Sequence, residues 1–306
     1  MGKTLDFVII GAQKSGTTTL FKLLSEHPEI YMPPGKEVPF FTNDEAYASG
    51  LDPYLQELFG GAPSHALWGK ATPHYLSDQR ASERLWATIP RAKLIAILRD
   101  PVDRALSHYR MSVRRGIEER TFDQAISDML DPKALQAARN LPVGRSSEAS
   151  TYVVWGEYGR LLDAYFSRFP REQILILFTD ELASSPKDTC NRMLIFLGVS
   201  PFVPKSLGKR FHEGGTKERF PLVVRLAHEK WIRRLWHAVP LRFRSPMTFW
   251  FHQVNIVQEI DTLENYSDQT VKKLQIHYQP DIARLEELIG RKAPWPHFIS
   301  DKCLRI

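Results

Sequence analysis

The chain has 306 residues, of which 43% are hydrophobic and 25% charged, so it can bury a sizeable core and is neither a disordered nor a low-complexity protein. Its net charge of +6 points to polyanionic ligands, a nucleotide or an acidic polymer, and leaves both open. Cys190 and Cys303 form neither a metal-ligand spacing nor a disulfide framework, and no run of 18 apolar residues occurs, which makes a reducing, cytoplasmic setting the expectation and a signal peptide or membrane span unexpected.

The length suits one α/β domain covering 1–306. Leu5 to Ile10 is a short β-branched run, the pattern of a buried parallel strand. Gly11-Ala12-Gln13-Lys14-Ser15-Gly16 follows, and Thr17 to His27 reads as a helix that stops at Pro28. A strand, a tight loop and a helix start aim backbone N–H groups and a helix dipole at one point, which suits a phosphate. The spacing of Gly11 and Gly16 is that of a nucleotide-binding P-loop, but position 17 is Thr and the loop's one lysine, Lys14, lies between the glycines. In an ATPase the terminal lysine reaches the β- and γ-phosphates and the next hydroxyl holds magnesium, so the displaced lysine argues for a different phosphate ester.

Ile30 to Met32 reads as a brief strand, followed by a Pro33-Pro34-Gly35 turn and Lys36-Glu37-Val38-Pro39-Phe40-Phe41. Two readings stand open: a solvated turn followed by a packed aromatic pair, or Glu37 at the rim of a cleft, partly buried against the two phenylalanines, where its proton affinity would rise. Residues 44–66 form a weakly helical surface region. Leu67 to Lys70 is a strand that ends near the Pro73 turn, with His74 close by, so Lys70 could meet the same anion as Lys14 at the ligand crevice, although a lone lysine at a strand end is more often solvated.

Lys93 to Leu98 is a continuous apolar strand that delivers Arg99 to its carboxyl end, with Asp100 as N-cap and Pro101 as first helical residue. Val102, Ala105, Leu106, Tyr109 and Val113 share a helical face, and Ser107 lies off it beside Arg104 and Arg110. A second strand–turn–helix unit ending in a guanidinium implies a second phosphate, with the Ser107 hydroxyl as a further ligand, although Arg99 could instead pair with Asp103. From 116 to 150 the pattern weakens, with Arg145-Ser146-Ser147 as an exposed loop. Tyr158 to Phe169 reads as a helix, Gln173 to Phe178 as a strand, Pro186 to Leu197 as a helix closed by Gly198, and Asp268 to Ile289 as the last helix. Asp180 resembles a magnesium-binding acid but suits an N-cap better. Arg210 to Arg219 is a glycine-centred basic loop suited to a nucleotide, and 220–260 is a helical insertion mixing basic and aromatic residues. That mixture occurs in single-stranded nucleic-acid and membrane-surface binders, and more often in amphipathic helices whose cations snorkel over rings.

Together, Ile9 to Thr18 and Leu98 to Tyr109 resemble the two nucleotide motifs of the sulfotransferases that use 3′-phosphoadenosine 5′-phosphosulfate, nearest the heparan-sulfate and bacterial carbohydrate branch. Weaker matches are Lys36 to Phe41, Gly69 to Pro73, Phe169 to Leu175 and Phe196 to Gly198, so that the likeness runs over 5–207 and 262–298. The resemblance implies a three-layer α/β/α fold with a central parallel sheet, like that of P-loop NTPases. It implies that Lys14, Ser15, Gly16, Thr17 and Thr18 hold the 5′-phosphosulfate, that Arg99 and Ser107 hold the 3′-phosphate, and that Gly215, Thr216 and Lys217 meet the nucleotide. Glu37 becomes the base that receives the proton of an acceptor hydroxyl, Lys14 and Lys70 neutralise the leaving phosphate, and no metal is required. The relatives commonly carry His where Pro39 stands, and His74 and His108 are alternative bases. The expected acceptor is a saccharide or glycoconjugate, with a carrier-bound acyl chain, a small metabolite or a lipid-linked hydroxyl as alternatives. A kinase or NTPase, and a nucleic-acid or membrane-binding protein, are the competing classes. Nucleic acid is not an expected partner, whereas peripheral membrane contact is compatible with the insertion.

Overall fold

The computed structural model describes residues 3–34, 37–209, 216–218, 256–258 and 266–298. Strands β1 (Phe7–Gly11), β2 (Ile30–Tyr31), β3 (Leu67–Ala71), β4 (Lys93–Leu98) and β5 (Ile174–Phe178) form one sheet in the order β2-β3-β1-β4-β5. Every neighbouring pair is parallel. The helices are α1 (Thr17–Ser25), α2 (Asp44–Ala48), α3 (Leu51–Phe59), α4 (Gln79–Thr88), α5 (Pro101–Arg114), α6 (Phe122–Met129), α7 (Pro132–Arg139), α8 (Tyr158–Phe166), α9 (Thr179–Ser184), α10 (Pro186–Leu197) and α11 (Asp268–Ile289). Short strands β6 (Thr216–Glu218) and β7 (Ile256–Gln258) pair antiparallel.

The pleat sends alternate residues of each strand to opposite faces. Val8 and Ile10 of β1 and Leu94, Ala96 and Leu98 of β4 join the larger core, with residues of α4, α5, α8 and α11. Phe7, Ile9, Ile95 and Ile97 join the other, under α1 and α10. All are fully buried, which is why these strands read as unbroken apolar runs: both faces are covered. The result is the expected three-layer α/β/α arrangement.

Asp100 caps α5 by accepting from Val102 N–H at 2.9 Å and Asp103 N–H at 3.2 Å, and Pro101 opens the helix, as read from the sequence. Gly198 closes α10 with φ 79°, and α10 and α11 have the expected bounds. Other expectations shift. Val113 is 37% exposed, whereas Arg104, His108 and Ser112 on α5 are fully buried. The helix is covered on a second side by Tyr152 and the turn Val154–Gly156, so apolar spacing alone misjudged its buried surface. Ser147, expected on an exposed loop, is buried in the short helical segment Arg145–Ser150, where its hydroxyl meets Pro142 O at 2.8 Å. Asp180 lies inside the first turn of α9 rather than capping it, and accepts from Trp295 Nε1 at 3.2 Å. Its neighbour Glu181 is held by Arg192 and Arg291. These acids therefore fasten the segment after α11 to the end of β5.

Gly215, Gly35, Lys36, Cys303 and most of the basic and aromatic stretch at 220–260 lie outside the described residues. Among the described residues no helix is long and apolar enough to cross a membrane.

Candidate active site

Because β3, β1 and β4 are parallel neighbours, their carboxyl ends open on the same edge of the sheet. Three segments meet there: Thr72 to Tyr75 after β3, Ala12 to Thr18 after β1, and Arg99 after β4. Such an edge is where ligands sit in open α/β sheets.

The loop after β1 is tightly specified. A Cβ on Gly11 would come within 2.6 Å of Leu76 Cβ, so only glycine lets the loop pass the turn after β3. Lys14 has φ 71° and Gly16 φ 104°, two left-handed positions that curl the backbone around a concavity. Gly16 is the N-cap of α1 and supplies no side-chain cap, in contrast to the Asp100 cap of α5. Ser15 is fully buried and its Oγ has no hydrogen-bond partner among the described residues. Thr17 is buried at 4% exposure, and Thr18 is half-buried.

Two residues that no motif pointed to tie this loop to the end of β4. Thr179 Oγ1 lies 2.6 Å from Ser15 O and 3.1 Å from Leu98 O. Tyr158, wholly buried, donates its hydroxyl to Arg99 O at 2.9 Å and sits beside the Ser15 side chain, and burial pushes its phenol up to about 12. Strand and helix patterns place Thr179 and Tyr158 on their elements, but only the packing of β5 and α8 brings their hydroxyls here. The Arg99 side chain is about one-third exposed and pairs with Asp103 at 3.2 Å, the alternative that its sequence position allowed. Ser107 is half-buried on α5, and β6, which carries Thr216 and Lys217, lies against the same helix. These two residues, expected in a loop, belong to a strand paired with Ile256–Gln258.

Lys70 has no exposed surface, and desolvation lowers its ammonium to about 8, against the opposing pull of the Glu37 and Glu57 carboxylates. Burial of that charge costs on the order of 1–3 kcal/mol at neutral pH. Lys70→Met should therefore raise the unfolding midpoint of the ligand-free protein while weakening anion binding. Calorimetric melts beside titrations of the variant measure the two effects, and a lowered midpoint would contradict the desolvation account. The affinity of the wild type for an anion should be flat below pH 8 and fall above it, because an anion favours the protonated amine, which the free protein loses near that pH.

Glu37 is exposed, so of the two readings its sequence allowed the structure takes the solvated turn before a packed aromatic pair, and a rise in its proton affinity by burial has no basis here. The apolar pair beside it packs away from it: Phe40 and Phe41 are 1% and 0% exposed and contact each other edge to face. Tyr75 Oη accepts from Phe40 N–H at 3.1 Å, Tyr54 Oη donates to Val38 O at 3.3 Å, and Arg84 Nη1 donates to Phe41 O at 3.2 Å. Three side chains thus set the path of the backbone that carries Glu37 within electrostatic range of Lys70.

His74 is half-buried, 3.0 Å from Gln13 Nε2, with Trp155 edge-on at 5.6 Å. His108, the other alternative base, is fully buried and stacked on Trp155 at 5.0 Å. Burial, then Arg104, Lys14 and His74, hold its imidazole well below the usual range, so it stays neutral and away from solvent. The structure thus brings Lys14, His74 and His108 into one electrostatic neighbourhood and Lys70 and Glu37 into another at the same sheet edge. Among the described residues no cluster of His, Cys, Asp or Glu is built to hold a metal ion.

A doubly covered parallel sheet, with a glycine-flanked lysine loop after its central strand and an arginine after the next, defines a three-layer α/β protein. The profile of the sulfotransferase domain matches residues 4–211, and the chain belongs to that family. It is 32% identical over 219 residues to human bifunctional heparan sulfate N-deacetylase/N-sulfotransferase 2, covering 68% of this chain and 23% of that protein. It is 29% identical over 196 residues to mouse heparan sulfate glucosamine 3-O-sulfotransferase 5, covering 63% of this chain and 53% of that one. The chain therefore spans between about a quarter and half the length of these relatives. The crystal structure of a sulfotransferase from Alicyclobacillus acidocaldarius superposes with a TM-score of 0.66 at 25% identity, over 95% of this chain and 98% of that one.

Proposed function

We propose that this protein transfers a sulfuryl group from 3′-phosphoadenosine 5′-phosphosulfate to a hydroxyl of a carbohydrate or glycoconjugate acceptor. The observation that carries this reading is the joining of two cationic strand ends, Lys14 after β1 and Arg99 after β4, through Thr179 and Tyr158. A donor phosphorylated at both its 5′ and 3′ positions needs two such points at a fixed separation. The carbohydrate acceptor is supported by the heparan sulfate enzymes among the relatives.

The residues fit the donor. The buried Ser15 hydroxyl without a partner, the α1 amino end without a side-chain cap, and Lys14 between two glycines make an acceptor-seeking pocket for the 5′-phosphosulfate. Arg99 and Ser107 would take the 3′-phosphate, for which the guanidinium would leave its exposed partner Asp103, and the β6 residues Thr216 and Lys217 would lie toward the nucleotide. The bound donor supplies an electrophilic sulfur and a phosphate leaving group. Glu37 would receive the proton of the acceptor hydroxyl as its oxygen bonds to sulfur. Lys14 and Lys70 would place positive charge where the departing phosphate becomes more negative, at a site already formed before reaction.

The cations of this site are side chains, so 3′-phosphoadenosine 5′-phosphate should bind without magnesium. Calorimetric titration in chelator against ATP with magnesium tests this. Tighter binding of the magnesium nucleotide would favour a kinase or NTPase instead. Arg99→Ala should weaken 3′-phosphoadenosine 5′-phosphate by roughly 10- to 100-fold, as expected for a lost charged contact, with little effect on adenosine 5′-phosphosulfate. Equal losses for both nucleotides would remove Arg99 from the 3′-phosphate.

A further inference from the structure

Gln13 lies inside the anion loop, one residue before Lys14, and its side chain crosses to the turn after β3. Its amide nitrogen Nε2 is 3.0 Å from Nε2 of His74, while its Oε1 is buried with no hydrogen-bond partner among the described residues. With the amide nitrogen facing the ring, as the structure orients it, the NH2 group donates and the facing imidazole nitrogen presents a lone pair. A neutral His74 then carries its proton on Nδ1, because one ring nitrogen of an imidazole is protonated and the other accepts. Trp155, packed edge-on against His74 and stacked on the buried His108, limits rotation of the ring.

We infer that Gln13 is a positioning residue that holds His74 as the Nδ1–H tautomer, a hydrogen-bond donor, and so withholds it from the role of base. The inference rests on the sulfuryl-transfer reading for its consequence: the proton of the acceptor hydroxyl passes to the Glu37 carboxylate, and His74 keeps the proton it has. It also gives the loop a second task. The residue that precedes the phosphate-facing lysine sets the protonation of a side chain on the neighbouring strand end, so the donor loop and the acceptor side of the cleft are assembled as one unit.

The wild-type protein itself provides the first test. In two-bond proton–nitrogen correlation spectra of 15N-histidine-labelled protein above pH 7, His74 is assigned as the signal lost in His74→Asn. It should show a protonated Nδ1 and an unprotonated Nε2. A protonated Nε2 in the wild type would place the Gln13 carbonyl against the ring and overturn the inference. Gln13→Glu replaces the donor by a carboxylate that accepts, and should move the proton to Nε2 or give an imidazolium. Turnover at saturating donor should then fall roughly tenfold or more, the scale of a misplaced group, and donor KM should rise because the new carboxylate stands in the loop proposed to hold an anion. An unaltered tautomer in folded Gln13→Glu, verified by its thermal transition, would also overturn it. Calorimetry of 3′-phosphoadenosine 5′-phosphate on the wild-type protein separates the two levels. Absent binding sinks the donor assignment, whereas the tautomer spectrum judges Gln13 alone.

Discussion

Glu37→Gln should lower turnover by about 10²- to 10⁴-fold, the range supplied by a positioned general base, while 3′-phosphoadenosine 5′-phosphate binds as tightly as to the wild type. The substitution keeps the shape of the side chain and removes its ability to take a proton. Glu37 is exposed, and its backbone is held through Val38 and Phe40 by Tyr54 and Tyr75, so the fold should not register the change. Single-turnover assays with a labelled donor and a heparan-type oligosaccharide measure the effect, and an unchanged thermal transition confirms that chemistry alone was altered. Turnover within threefold of the wild type would take the base role away from Glu37. His108 could not inherit it, since it is fully buried and burial disfavours its charged form.

Lys14→Gly should cost about 10²- to 10³-fold in turnover, the loss typical of removing one preorganised charge-stabilising group. It should do so without destabilising the protein. Lys14 occupies φ 71°, a left-handed conformation that costs a residue with a Cβ about 1 kcal/mol or more and costs glycine little. The unfolding free energy is therefore expected to stay level or rise by up to about 1 kcal/mol. Lys14→Ala keeps the strain and loses the same charge, so it should match the glycine variant in turnover and fall below it in stability. Denaturant titrations of both variants, beside their rates, check this ordering. A stable glycine variant with full activity would show that the loop lysine does not face the departing phosphate.

Much of the fold was legible in the linear chain because its central strands are buried on both faces. Val8 to Ile10 and Leu94 to Leu98 carry no polar residue, and that continuity is what two covering layers require. The caps were legible too, since Asp100-Pro101 and Gly198 act through their own backbone neighbours. The buried polar stripe on α5 was not legible. Arg104, His108 and Ser112 recur every four residues as a solvated face would, and only the packing of Tyr152 and Trp155 over them turns that face inward. For the same reason the sequence left Glu37 between two readings. Two phenylalanines next to a carboxylate in sequence suggest shared burial, but Phe40 and Phe41 turn into the core and leave Glu37 outside.

By itself, the sequence determined the two strand–loop–helix units, because each is contiguous and its geometry follows from glycine positions, a lysine or arginine, and local hydrogen bonds. The place of one lysine, between the two glycines, set the expectation of a donor other than a magnesium nucleotide. Only the tertiary structure decided how the units combine. The pairing of β1 with β4, and the arrival of Thr179 and Tyr158 from remote parts of the chain, set the two units side by side. The contact of Gln13 with His74 joins residues 61 positions apart. Such contacts arise from the packing of elements against one another, and no local spacing encodes which hydroxyl, amide or imidazole will meet.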